Sequence, residues 1–176
     1  GGYFILNNKD LAKKIKEKVE VKKLKIVDQD SKTRPYAVMI NNHAKARINH
    51  AGLDDAYIVY EAIAEGGLTR LMAIFKDKDT DRIGSVRSSR PYFLDYALEN
   101  DAIYVHFGGS SQALSDIKTL DIDNIDGMST ASAFWRDRTL GVALEHTAFT
   151  NMEKLKSAVS DKGYRTKTNK KLLLNY

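Results

Sequence analysis

Tyr57-Ile-Val-Tyr-Glu-Ala-Ile-Ala-Glu65, then Gly66-Gly67, then Leu68-Thr-Arg-Leu-Met-Ala-Ile-Phe75 is the stretch that decides the fold. Two runs rich in β-branched and aromatic residues flank a glycine pair that readily takes the positive φ angles of a tight turn, so 57–65 and 69–75 are predicted to form a β-hairpin. A two-residue turn sets Glu65 opposite Leu68, Ile63 opposite Arg70 and Glu61 opposite Met72. In that register Glu61, Glu65 and Arg70 share one face, with the arginine lying diagonally between two carboxylates.

Working outward, Tyr36-Ala-Val-Met-Ile40 is a short continuous apolar run ending in Asn41-Asn42, the form of a strand buried on both faces. Ala102-Ile-Tyr-Val-His-Phe107 is a second such run, followed by Gly108-Gly-Ser-Ser111 and a helical pattern over 111–120. A strand, loop and helix in that order make a βα unit, whereas 57–75 is antiparallel. The expected fold is therefore mixed αβ (α+β), a mixed sheet with helices on at least one face. Further helices are predicted over 90–99, with Ser88 or Ser89 as cap and Pro91 near the first position, and over 151–162, with Thr150 or Asn151 as cap and Gly163 as stop. Ile83–Val86 reads as a short added strand, and 121–150 carries little secondary-structure signal.

The chain has 176 residues, 43% of them hydrophobic and 29% charged, with two prolines and no cysteine. That is a globular composition; disulfides and thiolate metal sites are excluded. No apolar run reaches the roughly 18 residues needed to cross a bilayer, and Gly1-Gly2-Tyr3 does not begin a signal peptide, so the chain as given is expected to be soluble. The net charge of +5 is unevenly placed. Residues 1–34 hold ten basic against five acidic groups and 154–176 seven against one, leaving the middle with eleven against seventeen. An acidic core argues against nucleic acid as a partner. Residues 1–33 form a basic lead-in with a short amphipathic helix, Asn8 as cap and Leu11, Ile15 and Val19 as its narrow apolar stripe; 34–176 form a single αβ domain.

Four groups of residues invite chemistry. Ser85-Val-Arg87-Ser88-Ser89-Arg90-Pro91 brings two arginines and three hydroxyls to a helix start, where backbone N–H groups and the macrodipole favour a phosphate or carboxylate; the serines as plain caps are the competing reading. Phe107-Gly-Gly-Ser110-Ser111 lies where open αβ sheets bind ligands, but it lacks both nucleotide-loop patterns; Ser110 or Ser111 as helix cap competes with an anion cradle, and Ser110 as a hydrolase nucleophile lacks the Gly-x-Ser-x-Gly elbow. Glu61, Glu65 and Arg70 offer either acid–base work or a cross-strand ion pair. Asn42, at the end of the first strand, His106 and Arg136, beside Trp135, complete the candidate ligand-binding set. His43, His50, His106 and His146 show no ligand spacing, and Asp121 to Gly127 fails the EF-hand pattern at its fifth and sixth positions, so neither a metal nor a cofactor is expected.

Arg34-Pro-Tyr-Ala-Val-Met-Ile-Asn-Asn-His43, Gly52-Leu53, Ala56-Tyr-Ile-Val-Tyr-Glu61, Glu65-Gly-Gly-Leu-Thr-Arg70, Ile83-Gly-Ser-Val-Arg-Ser-Ser-Arg-Pro-Tyr92, Asp101-Ala-Ile-Tyr-Val-His-Phe-Gly-Gly-Ser110, Ile125-Asp-Gly127 and Phe134-Trp-Arg-Asp137 together resemble the YerB-like family of lipoproteins of Gram-positive bacteria, over roughly residues 34–155. At Glu145-His146-Thr147 the sequence departs from the Pro-His-Asn more usual there. The resemblance implies a secreted protein of unassigned activity, tethered through a lipidated cysteine outside this chain, with a C-terminal domain following the αβ domain. The apolar end Leu172-Leu-Leu-Asn-Tyr176 reads as the start of a strand that continues beyond it. The expected role is binding an anionic envelope ligand or an envelope protein, with membrane contact only through the lipid anchor. An enzyme acting on envelope phosphoesters or glycans, using the arginines with Glu61 or Glu65, and a purely structural interaction domain are the alternatives.

Overall fold

The apolar run at 36–41 is buried at every position because it becomes the central strand of a five-stranded sheet, covered on both faces. The structure, a computed structural model, describes residues 27–172. The helix expected around residues 8–19 and nearly all of the closing apolar run lie outside them. In chain order the elements are β1 (Tyr36–Asn41), the short α1 (Ala44–Arg47), β2 (Ile58–Ile63), β3 (Thr69–Phe75), β4 (Ile83–Gly84), α2 (Pro91–Glu99), β5 (Ile103–His106), α3 (Ser111–Thr119), β6 (Asn124–Asp126), β7 (Trp135–Arg136), β8 (Ala148–Thr150) and α4 (Met152–Lys162). The main sheet has the order β2-β3-β1-β5-β6: β3 runs antiparallel to both β1 and β2, while β5 runs parallel to both β1 and β6. The fold is thus mixed α+β with a mixed sheet.

Side-chain alternation along β1 splits the core in two. Ala37 and Met39, with Met72, Ile74 and Tyr104, face Phe93, Leu94 and Ala97 of α2 and Ile117 of α3. Val38 and Ile40, with Ala73, Phe75 and Val105, face Leu155 and Val159 of α4 and residues of a second small sheet, β4-β8-β7. That second sheet is built in part from the 121–150 stretch whose sequence carries little signal. Its strands are two or three residues long, too short to show a period.

The hairpin forms, but in a different register. Ile63 pairs with Thr69, Ala62 with Arg70, Glu61 with Leu71 and Tyr60 with Met72. Residues 64–68 make a five-residue loop containing a 3-10 turn at Glu65–Gly67, with Gly66 and Gly67 at φ 65° and 75°. A one-residue slip sends every side chain to the other face. The expected grouping of Glu61, Glu65 and Arg70 on one face is therefore corrected: Arg70 and Glu61 lie on opposite faces, and Glu65 leaves the strand for the loop.

Helix α2 starts one residue later than a serine cap requires. Arg90 occupies the cap position without a side-chain cap bond, and Pro91 takes the first turn. Ser89 is fully buried instead, its hydroxyl accepting from the Tyr104 hydroxyl at 2.6 Å. The caps at Ser110 and Asn151 and the left-handed stop at Gly163 form as the sequence predicts.

Candidate functional site

Strands β1 and β5 pair only from Tyr36 to Val38 and from Ile103 to Val105. Beyond that they part, and the segment after β4 threads the gap. Arg87 N–H donates to Met39 O at 3.0 Å, Phe107 N–H donates to Arg87 O at 3.0 Å, and Ser89 N–H donates to Gly108 O at 2.9 Å. Backbone pairing thereby fixes Arg87 at the carboxyl edge of the parallel strands, the edge at which open αβ sheets place ligands.

Two compartments open on either side of the Arg87 side chain. The inner one, about 190 Å3, is lined by Asn41, His43, Arg70, Thr69 and His146, with Ala64, Glu65 and Leu68 of the hairpin loop forming a wall. The outer one, about 350 Å3, is lined by Val86, Phe107, Met128, Leu144 and Ala148, with Arg136. Arg87 and Glu145 line both. Their side chains meet at 2.9 Å, so a single ion pair forms the partition.

Arg70 is the unusual charge of the site. It is 8% exposed, donates from Nη1 to Ser88 O at 3.0 Å, and forms no ion pair with any described carboxylate. Burial first, then the guanidinium groups of Arg90 and Arg87, push its pKa below the usual arginine range, with Glu65 and Tyr92 opposing. Arg90 is paired with Glu65 of the hairpin loop, which is 68% exposed. That hydrogen bond holds the Glu65 carboxyl at about 2, so it is ionised at neutral pH with no proton to donate.

The cluster has a layer that sequence spacing hides. His146 and His43 stack with ring centroids 4.9 Å apart, although about a hundred residues separate them. Asn41 joins them: its Nδ2 donates to His146 Nδ1 at 2.6 Å, and its Oδ1 accepts from the His43 N–H at 3.0 Å. His43 Nδ1 accepts from the Lys45 N–H, so His43 and His146 each carry a proton on Nε2 when neutral. Burial is the main cause that holds the His146 pKa below its ordinary value, with His43, Arg87 and Lys45 adding to it and Glu145 opposing. His146 Nε2 lies 3.5 Å from a Glu145 oxygen. No local motif announces Glu145 or the two histidines; only the paired rings in space do.

The remaining candidates divide plainly. Arg87, Arg70 and Glu65 line the inner compartment, and Arg136 the outer. Arg136 lies over the Phe107 ring, 4.6 Å from its centroid, and donates to Leu144 O at 2.6 Å. Ser88 contributes its carbonyl to Arg70. Asn42 donates to Thr69 Oγ1 at 2.7 Å, and Thr69 donates to Glu61 at 2.6 Å, so Glu61 belongs to a neighbouring polar chain and does not line the inner compartment. His106 is fully buried, its Nδ1–H donating to Gly108 O and its Nε2 accepting from Asn124, which leaves it no face toward either compartment. Two N–H groups of the glycine loop are already engaged, Gly108 N–H donating to Asp126 and Ser110 N–H to Ser89 O. Ser110 Oγ accepts from Ala113 N–H as a cap. The first turn of α2, expected to receive an anion, lines neither compartment. Among the described residues no group of three or more His, Asp or Glu side chains is placed to hold a metal ion, and no helix is long and apolar enough to cross a membrane.

Fold and site define a mixed α+β domain with a two-compartment, arginine-lined cleft at the carboxyl edge of its parallel strands. Residues 23–165 match the family described as "Protein of unknown function (DUF3048) N-terminal domain", and the chain belongs to that family. It is 38% identical over 159 residues to a protein of Bacillus subtilis (strain 168) named "Putative lipoprotein YerB", a match covering 90% of this chain and 46% of the relative. The crystal structure of YerB from Bacillus subtilis superposes with a TM-score of 0.76 over 82% of this chain and 49% of that one, at 38% identity. The chain thus spans about half the length of the relatives it matches.

Proposed function

We propose that this domain is an extracytoplasmic module of the bacterial cell envelope that binds a phosphate- or carboxylate-bearing ligand at the Arg70 and Arg87 end of the cleft. One observation carries the reading: Arg70 is a nearly buried guanidinium that faces the inner compartment with no carboxylate partner among the described residues. A buried charge with no carboxylate in direct contact is costly, the exposed Glu65 acting on it only from beyond ion-pair distance, and an incoming oxyanion removes that cost while taking the bidentate geometry that guanidinium offers. Among the described residues, the two neighbouring arginines are paired with exposed carboxylates, Glu145 and Glu65, which a ligand can replace. The relative's name as a lipoprotein supports the envelope location and a lipid tether as the route to the membrane.

A partner protein is the second reading, favoured by Val59, Ile63 and Leu68, which stand exposed along edge strand β2 and its loop. Acid–base catalysis is less well supported, because Glu65 is held ionised and Glu61 is turned away from the arginines. The test is calorimetric titration with inorganic phosphate, glycerol phosphate and a peptidoglycan fragment, in the intact protein and in Arg70→Ala and Arg87→Ala. Binding of at least one anion that weakens tenfold or more in both variants is expected. No binding by any of them, or binding indifferent to both substitutions, overturns the reading.

A further inference from the structure

We infer that the ligand of this cleft is an anionic amphiphile, whose head group sits on Arg70 and Arg87 and whose apolar chain lies in the outer compartment. This rests on the anion-binding reading above and adds to it the chemical class of the rest of the molecule.

The two compartments differ in chemistry. The inner one presents Arg70, the His43 and His146 rings, and the polar Asn41 and Thr69. The outer one presents Val86, Phe107, Met128, Leu144 and Ala148, and it is the larger, about 350 against about 190 Å3. Two of its apolar side chains are left in the open: Met128 is 71% exposed and Leu144 50%. Arg136 does not make this wall polar. Its Cζ stands 4.6 Å from the Phe107 ring centroid and its Nη1 is given to Leu144 O and Thr147 Oγ1, so one face and one nitrogen of the guanidinium are already taken up by the wall itself. A small inorganic anion fills only the inner half. An uncharged apolar molecule leaves Arg70 without a direct ion-pair partner. Only a molecule with an oxyanion at one end and an apolar stretch at the other complements both halves.

The partition between them is built to give way. Glu145 is half exposed and already has a second partner, His146, whose Nε2 stands 3.5 Å from its other oxygen. When a head group takes Arg87, the Glu145 carboxylate turns to His146, and the two compartments become one groove. The exchange replaces one ion pair on Arg87 by another, so it leaves no guanidinium unpaired.

The experiment titrates the intact protein with inorganic phosphate, then with ethyl, butyl and hexyl phosphate below their micelle concentrations, and with hexanol. Affinity is expected to rise about three- to fourfold for each methylene placed in the outer compartment, the increment that burial of a CH2 gives. The exposed positions Met128→Ser and Leu144→Ser, changed together, are expected to bring hexyl phosphate down to the affinity of ethyl phosphate. Phosphate that binds with no gain along the series overturns the amphiphile and leaves the anion site standing. A gain that survives the double substitution places the chain elsewhere and also overturns it. Hexanol binding as tightly as hexyl phosphate, or no phosphate binding at all, removes the anion reading and this inference together.

Discussion

Arg87 and Glu145, fifty-eight residues apart, meet at 2.9 Å across the cleft and, among the described residues, are the only two that line both of the compartments flanking them. Arg87 is held by backbone bonds between β1 and β5, whereas Glu145 stands on a short 3-10 turn at Leu144–His146. The carboxylate is also the more exposed member of the pair, and it competes with any anion for Arg87.

Glu145→Gln tests that competition. Removing the internal carboxylate charge is expected to tighten binding of inorganic phosphate or an alkyl phosphate by about three- to tenfold in calorimetry. Because Glu145 is half exposed and Arg87 about a quarter, the stability lost is expected to be no more than about 1 kcal/mol. Weaker phosphate binding in the variant counts against Glu145 as a competitor.

A buried arginine is not a binding arginine by that fact alone, and Arg34 provides the contrast. It is as buried as Arg70, but Asp123 and Asp101 neutralise it and it also donates to the Asp101 and Arg165 carbonyls. Arg34→Ala is expected to cost about 3 kcal/mol in denaturant unfolding, because it strands carboxylates in a partly buried network. Arg70→Ala removes a charge that has no ion-pair partner and is expected to change stability much less while abolishing anion binding. Equal stability losses in the two variants would contradict the distinction.

Acid should destabilise the fold in two separate windows. His106 and His146 are both held below their ordinary pKa mainly by burial, so the folded protein binds fewer protons than the unfolded chain as pH drops. Stability is then complete above the unfolded histidine value of about 6.5 and is lost as pH falls from there through the lower folded values. Glu65, Asp101 and Asp137, each at about 2 through hydrogen bonds to Arg90, to Arg165 and Thr168, and to Thr139 and Arg82, act later. Their contribution disappears between about 4 and about 2. Urea midpoints measured from pH 7.5 to pH 2.5 are expected to fall in these two steps. His106→Asn is expected to shrink the first step and leave the second; a first step of unchanged size in that variant counts against the assignment.

How much of this was legible beforehand depended on length and locality. The continuous apolar runs at 36–40 and 102–107 and the 3.6-residue patterns over 111–120 and 151–162 are long enough to carry a period, and each became the expected element. The Gly66-Gly67 pair did adopt positive φ, but Glu65 joined it in a 3-10 turn, and the longer loop moved the register by one residue. No composition rule separates a two-residue from a five-residue turn here, and the difference decided which carboxylate meets which arginine. Arg87 and Arg70 were readable as anion-binding residue types. Their meeting with Glu145, His146 and His43 depends on tertiary closure between segments roughly sixty to a hundred residues apart, for which a single sequence has no periodic signal.

Phe107, which lines the outer compartment, packs against Gly127, a glycine that needs no unusual backbone angle. A Cβ added at Gly127 would sit 2.1 Å from Cδ2 of Phe107 and 2.3 Å from its Cε2, distances at which the ring has to move. Phe107 is held edge-on against Phe134, 5.5 Å between centroids, and carries Arg136 on its face, so it has no empty side to turn into without disturbing one of them. Gly127→Ala is therefore expected to cost about 1–3 kcal/mol, the usual range for overpacking. It should also perturb the compartment on the far side of the ring. In calorimetry the gain in affinity along the alkyl phosphate series should shrink in Gly127→Ala, while Gly141→Ala, where nothing lies within 4 Å but φ is +67°, should lose stability from backbone strain and keep that gain. If both variants keep the full gain, Phe107 does not form the floor on which the apolar chain rests.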